Sequence, residues 1–174
     1  MRNRSASIRR VAFVGITASV ALLLAYVEFL LPPLFVSVPG IKVGLPNVII
    51  LYVLYCLDTK YAALVSFVRI LLAACMFGNA VSLAYSVAGA VLSLLAMSLL
   101  KKTNKFSAVG VSVTGGVMHN LGQILVAMVI LDTTKIAYYL LVLAVTGTIS
   151  GIFIGLCGGL LVSRIPPSKI LLKN

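Results

Sequence analysis

The chain has 174 residues, of which 61% are hydrophobic and 10% charged, and its mean hydropathy is +1.18. A water-soluble domain carries about a quarter charged residues, so this composition excludes one and leaves lipid as the solvent for most side chains. The net charge of +11 arises because Glu28, Asp58 and Asp132 are the only acids. Basic residues gather at segment ends rather than on a soluble face, so the charge does not point to nucleic acid.

The length suits one domain, 1–174, and no polar linker divides it. The start, MRNRSASIRR before an apolar run, has the look of a secretory signal. The run outlasts the usual apolar core of such signals, however, and EFLLPP offers no small-residue cleavage site, so a retained first helix is expected. Residues 1–10 read as a basic cytoplasmic N-terminus. The first apolar block, 11–31, stops at Pro32-Pro33, which cannot continue a helix. A Pro/Gly-rich connection holding Lys42 leads to the second block, 45–57, closed by Asp58-Thr59-Lys60. The third, 61–77, carries Arg69 and ends at Gly78-Asn79; the fourth, 80–100, closes on Lys101, Lys102 and Lys105. The fifth, 106–131, ends at Asp132, the sixth is 136–162, and 163–174 form a basic tail.

About 20 residues are needed to cross a hydrocarbon core of roughly 30 Å. Four blocks meet that, while the second and third are short and need protein around their ends or a cavity beside them. The expected fold is all-α: a polytopic bundle of six transmembrane helices, with a five-helix arrangement that merges or drops the second block as the alternative. Six crossings put Arg2, Arg4, Arg9, Arg10, Lys60, Lys101, Lys102, Lys105, Arg164, Lys169 and Lys173 on one side, and only Lys42 and Lys135 on the other. By the positive-inside rule both termini are then cytoplasmic, in the cell membrane.

Charged and amide groups inside the spans carry the functional information, because a charge there costs a few kcal/mol (about 3) even on insertion scales. Arg69 sits near mid-depth. It either pairs with Glu28 to tie two helices, or is a fixed cation facing an anionic or electron-rich ligand group. Glu28 lies about one turn from the outer end of the first helix, where an interfacial carboxylate is the plain reading. Lys42 and Asn47, in GIKVGLPN, are either ordinary loop chemistry or part of a mobile lid. In the fourth block Asn79, Ser82, Tyr85 and Ser86 recur at helical spacing. In the fifth, HNLGQ brings His119, Asn120 and Gln123 together, for interhelical hydrogen bonding or for ligand contact. All fall in the outer half with Arg69 at their floor, which describes a pocket opening outward rather than a channel. Cys56, Cys75 and Cys157 lie in apolar runs without a ligand pattern; neither a metal nor a cofactor is expected.

Small residues recur at Gly15 and Ser19, at Ala21 and Ala25, and at Gly147, Gly151, Gly155 and Gly159. Such stripes let helices approach closely. The sixth-block stripe reads as packing within the bundle, and the first-block stripe either packs or docks a partner.

Six short hydrophobic helices, a loop after the first helix and an AxxxA on it resemble the substrate-binding S components of energy-coupling factor transporters. More narrowly, GIKVGLPN, Arg69, the stretch from Ser82 to Gly89 and HNLGQ resemble the Gx transporter family, also labelled heptaprenyl diphosphate synthase component I; the likeness runs over about 12–162. It implies a subunit that binds a vitamin-like small molecule from outside, powered by a separate transmembrane coupling subunit and ATPases. It also implies docking through Ala21 and Ala25, with ligand contact by the outer-half polar residues. The synthase label implies an enzyme accessory instead. Prenyl diphosphate synthases need clustered aspartates to hold magnesium against a diphosphate, and here no two acids lie within a helical turn. Catalysis by this chain alone is therefore not expected, and without a Walker loop neither is ATP use.

Overall fold

A computed structural model of the protein describes residues 2–31 and 44–165, with side chains from residue 8 onward. Six α-helices and no strand occur among the described residues: α1 (Arg2–Leu30), α2 (Pro46–Cys56), α3 (Thr59–Met76), α4 (Ala80–Thr103), α5 (Ala108–Ile130) and α6 (Leu140–Arg164). A 3-10 turn, Lys135–Tyr139, leads into α6. The protein is thus an all-helical, multi-pass membrane bundle. Large apolar side chains such as Val11, Leu23, Phe67, Leu99, Val129, Leu141 and Ile149 line its exterior, where only lipid could receive so much exposed apolar surface.

Each turn is marked by a residue that stops one helix or starts the next. The Asp58 carboxylate accepts from the backbone N–H of Lys60 (2.7 Å) and Tyr61 (3.2 Å) to start α3. Asn104, in left-handed conformation at φ 54°, ends α4, and the Ser107 hydroxyl accepts from Gly110 N–H at the start of α5. At the start of the sequence α1 already begins at Arg2, within the residues 1–10 that read as a basic N-terminus. No Gly or Pro interrupts that stretch, and arginine is a good helix former.

Around the bundle the order is α1, α3, α4, α5, α6 and α2, which closes back on α1; α2 also touches α3. Apolar on every side, α2 is the core: Ile50, Leu51, Val53 and Leu54 are all buried. Its 11 residues reach only about 16 Å at 1.5 Å per residue. Among the described residues, five helices are therefore long and apolar enough to cross a membrane. The short one persists because its two ends find partners in protein. The Gly44 N–H, two residues before it, donates to the Glu28 carboxylate, and Lys101 Nζ donates to the Leu54 carbonyl near its last turn. Pro46 suits the first turn, having no N–H to leave unsatisfied.

Four contacts bring the basic ends of the helices to one face. The Tyr52 hydroxyl donates to the Ile165 carbonyl (2.9 Å), joining the end of α2 to the end of α6. The Thr59 hydroxyl meets Ser98 (3.0 Å), joining α3 to α4. Lys101 reaches α2 from α4, and Phe13 of α1 lies 6.0 Å from Tyr52 between ring centres. Arg9, Arg10, Lys60, Lys101, Lys102, Lys105 and Arg164 share that face. Lys42, Lys169 and Lys173 lie outside the described residues.

The stripe on α6 is spent on α5. A Cβ on Gly151 or Gly155 would stand 2.6 Å from the Cα of Val113 or Val109, and one on Gly147 would stand 2.9 Å from the Gly116 carbonyl oxygen. Without a Cβ the two backbones can touch, which is how membrane helices associate when no hydrophobic force draws them together.

Candidate functional site

Depth along the helices places the site. From the basic face, Arg69 stands ten residues into α3, His119 eleven into α5, and Asn47 nine residues back from the end of α2. At 1.5 Å per residue all three lie at one level, about 15 Å in. Because α2 is short, its N-terminal end stops at this level instead of reaching the far surface.

Two nitrogens at that level are buried and have no hydrogen-bond partner: Arg69 Nε and His119 Nδ1. Leaving such groups unpaired costs about 1–3 kcal/mol each, more for a charged one, so the fold retains them at the expense of stability. Arg69 lies within electrostatic reach of both His119 and Glu28. The three groups come from α5, α3 and α1, and no pair of neighbours in the chain would bring them together.

His119 is seated by a glycine. A Cβ on Gly89 of α4 would fall 2.7 to 2.9 Å from three atoms of the imidazole ring, so the ring lies against bare backbone. Next to it, Gly122 meets the Ala88 carbonyl, where a Cβ would stand at 2.6 Å. On another face of α5, Gly116 meets the Gly147 backbone of α6, so α5 is held closely by both neighbours. His119 and Gln123, four residues apart, share one face of α5. Ser86 lies on the Gly89 stripe of α4, one turn farther from the basic face, and Tyr85 is half-buried beside it.

The Glu28 carboxylate accepts from Gly44 N–H at the approach to α2. Gly44 has φ +79°, a left-handed conformation that penalises any side chain, and a Cβ there would stand 3.1 Å from Asn47 Nδ2 and 3.3 Å from Ile154 of α6. Glu28, Gly44 and Asn47 therefore form one cluster at the start of α2, and the Glu28 carboxylate lies within electrostatic reach of Arg69.

Several sequence expectations divide at this point. Arg69 lies within electrostatic reach of His119 and Glu28, and Glu28 and Asn47 both meet Gly44; Gln123 and Ser86 lie on the same helix faces as His119 and Gly89. Asn120 is not with them: its Nδ2 donates to the Leu143 carbonyl of α6 at 2.6 Å, because adjacent helical residues point about 100° apart. Asn79 is occupied at the start of α4, where its Oδ1 accepts from Ser82 N–H (2.8 Å) and its own N–H donates to the Ser82 hydroxyl (2.9 Å). Lys42 lies outside the described residues. Ala21 and Ala25, 0% and 9% exposed, are turned into the bundle rather than to an open face. The inner face of α1 is consumed by α2 and α3, and the face still open carries Gly15 and Ser19. Sequence reading missed the role of Gly89, whose only local signal is a glycine in the middle of a long helix.

Each acid occupies its own place in the fold: Glu28 at Gly44, Asp58 at the start of α3 near the basic face, and Asp132 after the end of α5. This arrangement gives no diphosphate-bound magnesium a joint seat.

The family described as heptaprenyl diphosphate synthase component I matches residues 17–161, which include every described element of this site. No curated protein and no solved structure matches the chain.

Proposed function

The chain belongs to the heptaprenyl diphosphate synthase component I family, and on that premise we propose that it is a membrane-embedded binding subunit, not a catalyst. In this reading it resembles the S components of energy-coupling factor transporters. It captures a small molecule bearing a carboxylate, a phosphate or an electron-rich ring from the outer face, for uptake driven by a coupling transmembrane subunit and its ATPases. The observation that carries the reading is the unpartnered Arg69 Nε, buried at mid-depth with the unpartnered His119 Nδ1 in reach. Ionisable groups kept inside a membrane at such cost mark binding sites and pathways. The basic face is then cytoplasmic and the Glu28–Asn47 side faces outward. A partner contact on α1 falls on Gly15 and Ser19, since Ala21 and Ala25 are covered.

A second reading is favoured by the family description itself: a non-catalytic membrane accessory of prenyl diphosphate synthesis, with Arg69 receiving a diphosphate headgroup. Purification separates the two. Mass spectrometry of the detergent-purified protein should release a bound small molecule, lost in Arg69→Ala, and affinity capture should bring down coupling ATPases. Capture of a soluble aspartate-rich synthase instead, with no small molecule bound, would reverse the order of the readings.

A further inference from the structure

Glu28 is the acid that the fold brings to the approach of α2. Its carboxylate accepts from the Gly44 N–H at the approach to α2, and it stands within electrostatic reach of Arg69. The N-terminal end of a helix carries about half a positive charge and attracts anions. In α2 that end is uncapped by any side chain, and the helix stops at mid-depth rather than at the membrane surface. A second, independent feature points to an anion at the same place: Arg69 Nε is buried without a hydrogen-bond acceptor. Glu28 thus links the two features: its carboxylate accepts from the Gly44 N–H just before α2 and lies within electrostatic reach of the buried Arg69 guanidinium.

We propose that Glu28 is a tethered stand-in for the anionic group of the ligand. A carboxylate or phosphate entering between α1, α2 and α3 displaces Glu28 from Gly44 N–H and takes the Arg69 Nε hydrogen bond that Glu28 leaves unmade. This deepens the binding-subunit reading and rests on it. It also accounts for the survival of the site without ligand: an empty pair of positive ends would be unstable in a low-dielectric interior, whereas an internal carboxylate offsets them. The opposing effect is on affinity, because every ligand anion must first compete with a group already tethered in place.

Chemical rescue tests this in the full chain. Glu28→Ala vacates the position, so acetate or inorganic phosphate should fill it, each compared with chloride at equal ionic strength. One of the two anions should raise the melting midpoint of the detergent-purified variant by about 4 °C, as expected of a ligand well above its dissociation constant. Wild-type protein, with the position occupied, should shift by less than about a quarter of that. In the Glu28→Ala/Arg69→Gln double variant the shift should vanish. Glu28→Ser leaves similar space and serves as the second variant. The proposal is overturned if wild type and variant respond alike, if chloride does as well, or if the shift persists without Arg69. Failure to recover either single variant folded, even with both anions present throughout purification, also overturns it, because a replaceable stand-in must be replaceable. The bound-molecule measurement is a separate experiment. Rescue without a co-purifying molecule retires the uptake reading and keeps the subsite for the diphosphate of the second reading. A co-purifying molecule without rescue retires the stand-in alone.

Discussion

At the residue scale, Arg69 and Asn120 look alike in the sequence, as polar groups in apolar helices, yet their neighbours give them different work. Arg69 Nε has no partner, whereas Asn120 is committed to the Leu143 carbonyl. Arg69→Ala should therefore abolish ligand retention while costing little stability, since relieving the desolvation of a buried guanidinium offsets the lost attraction to Glu28. Asn120→Ala should lower stability by about 0.5–1.5 kcal/mol, the usual worth of one interhelical hydrogen bond in a membrane, and leave retention intact. Ligand release by mass spectrometry and thermal unfolding in detergent, run on both variants, would show this crossed pattern. Equal loss of ligand in the two would mean that the HNLGQ groups act together after all. Gly89→Ala is the sharper probe of His119. The new methyl needs space within 2.7 Å of the imidazole, so the ring must move, and retention should fall although no polar group has been removed.

At the element scale, α2 decides how the rest is arranged. A helix of 11 residues cannot cross the bilayer, and it is stable here because α1, α3 and α6 surround it. Its inner end depends on Lys101, which donates to the Leu54 carbonyl and lies 5.3 Å above the Tyr55 ring. Lys101→Met keeps much of the side-chain length and removes the donor. It should cost about 1–3 kcal/mol, the range for a buried acceptor deprived of a charged partner, while Lys102→Met, on the exposed neighbour, should cost almost nothing. Denaturant titration of both variants checks the contrast, and an equal, small effect would show that water reaches the α2 end. The α5–α6 pair is the other fixed unit. Gly116→Val would drive a branched side chain into the Gly147 backbone, and the helices must separate. A loss of about 1–3 kcal/mol or failure to accumulate in the membrane is expected, readable from expression and melting.

At the scale of the whole molecule, the convergence of basic residues on one face gives the bundle a polarity. If that face is cytoplasmic, both ends of α4–α5–α6 can be tested with single cysteines in a chain whose Cys56, Cys75 and Cys157 have been replaced by alanine. A membrane-impermeant maleimide added to intact cells should label Thr133→Cys and leave Thr103→Cys unlabelled until the cells are opened. The reverse pattern would invert the orientation and with it the direction of binding. The same polarity explains how a short helix can build a site: with its inner end anchored at the basic face, the outer end of α2 necessarily stops at the level of Arg69.

The sequence by itself determined the solvent, the all-helical class, the residues that stop and start the helices, and the gathering of positive charge at alternate ends. These follow from composition and from local chemistry: apolar runs, Pro-Pro, Asp58, Asn79 and the lysines that close α4. It also singled out Arg69, His119 and Glu28, because an ionisable residue in a membrane span is conspicuous whatever surrounds it. Only the tertiary structure decided that α2 is a buried half-length helix, that Ala21 and Ala25 face inward, and that His119 and Asn120 part company. It alone placed Glu28 between Gly44 and Arg69. The reason is common to all four. Each depends on which neighbour fills the space beside a helix face, and helical periodicity specifies the face without naming the neighbour.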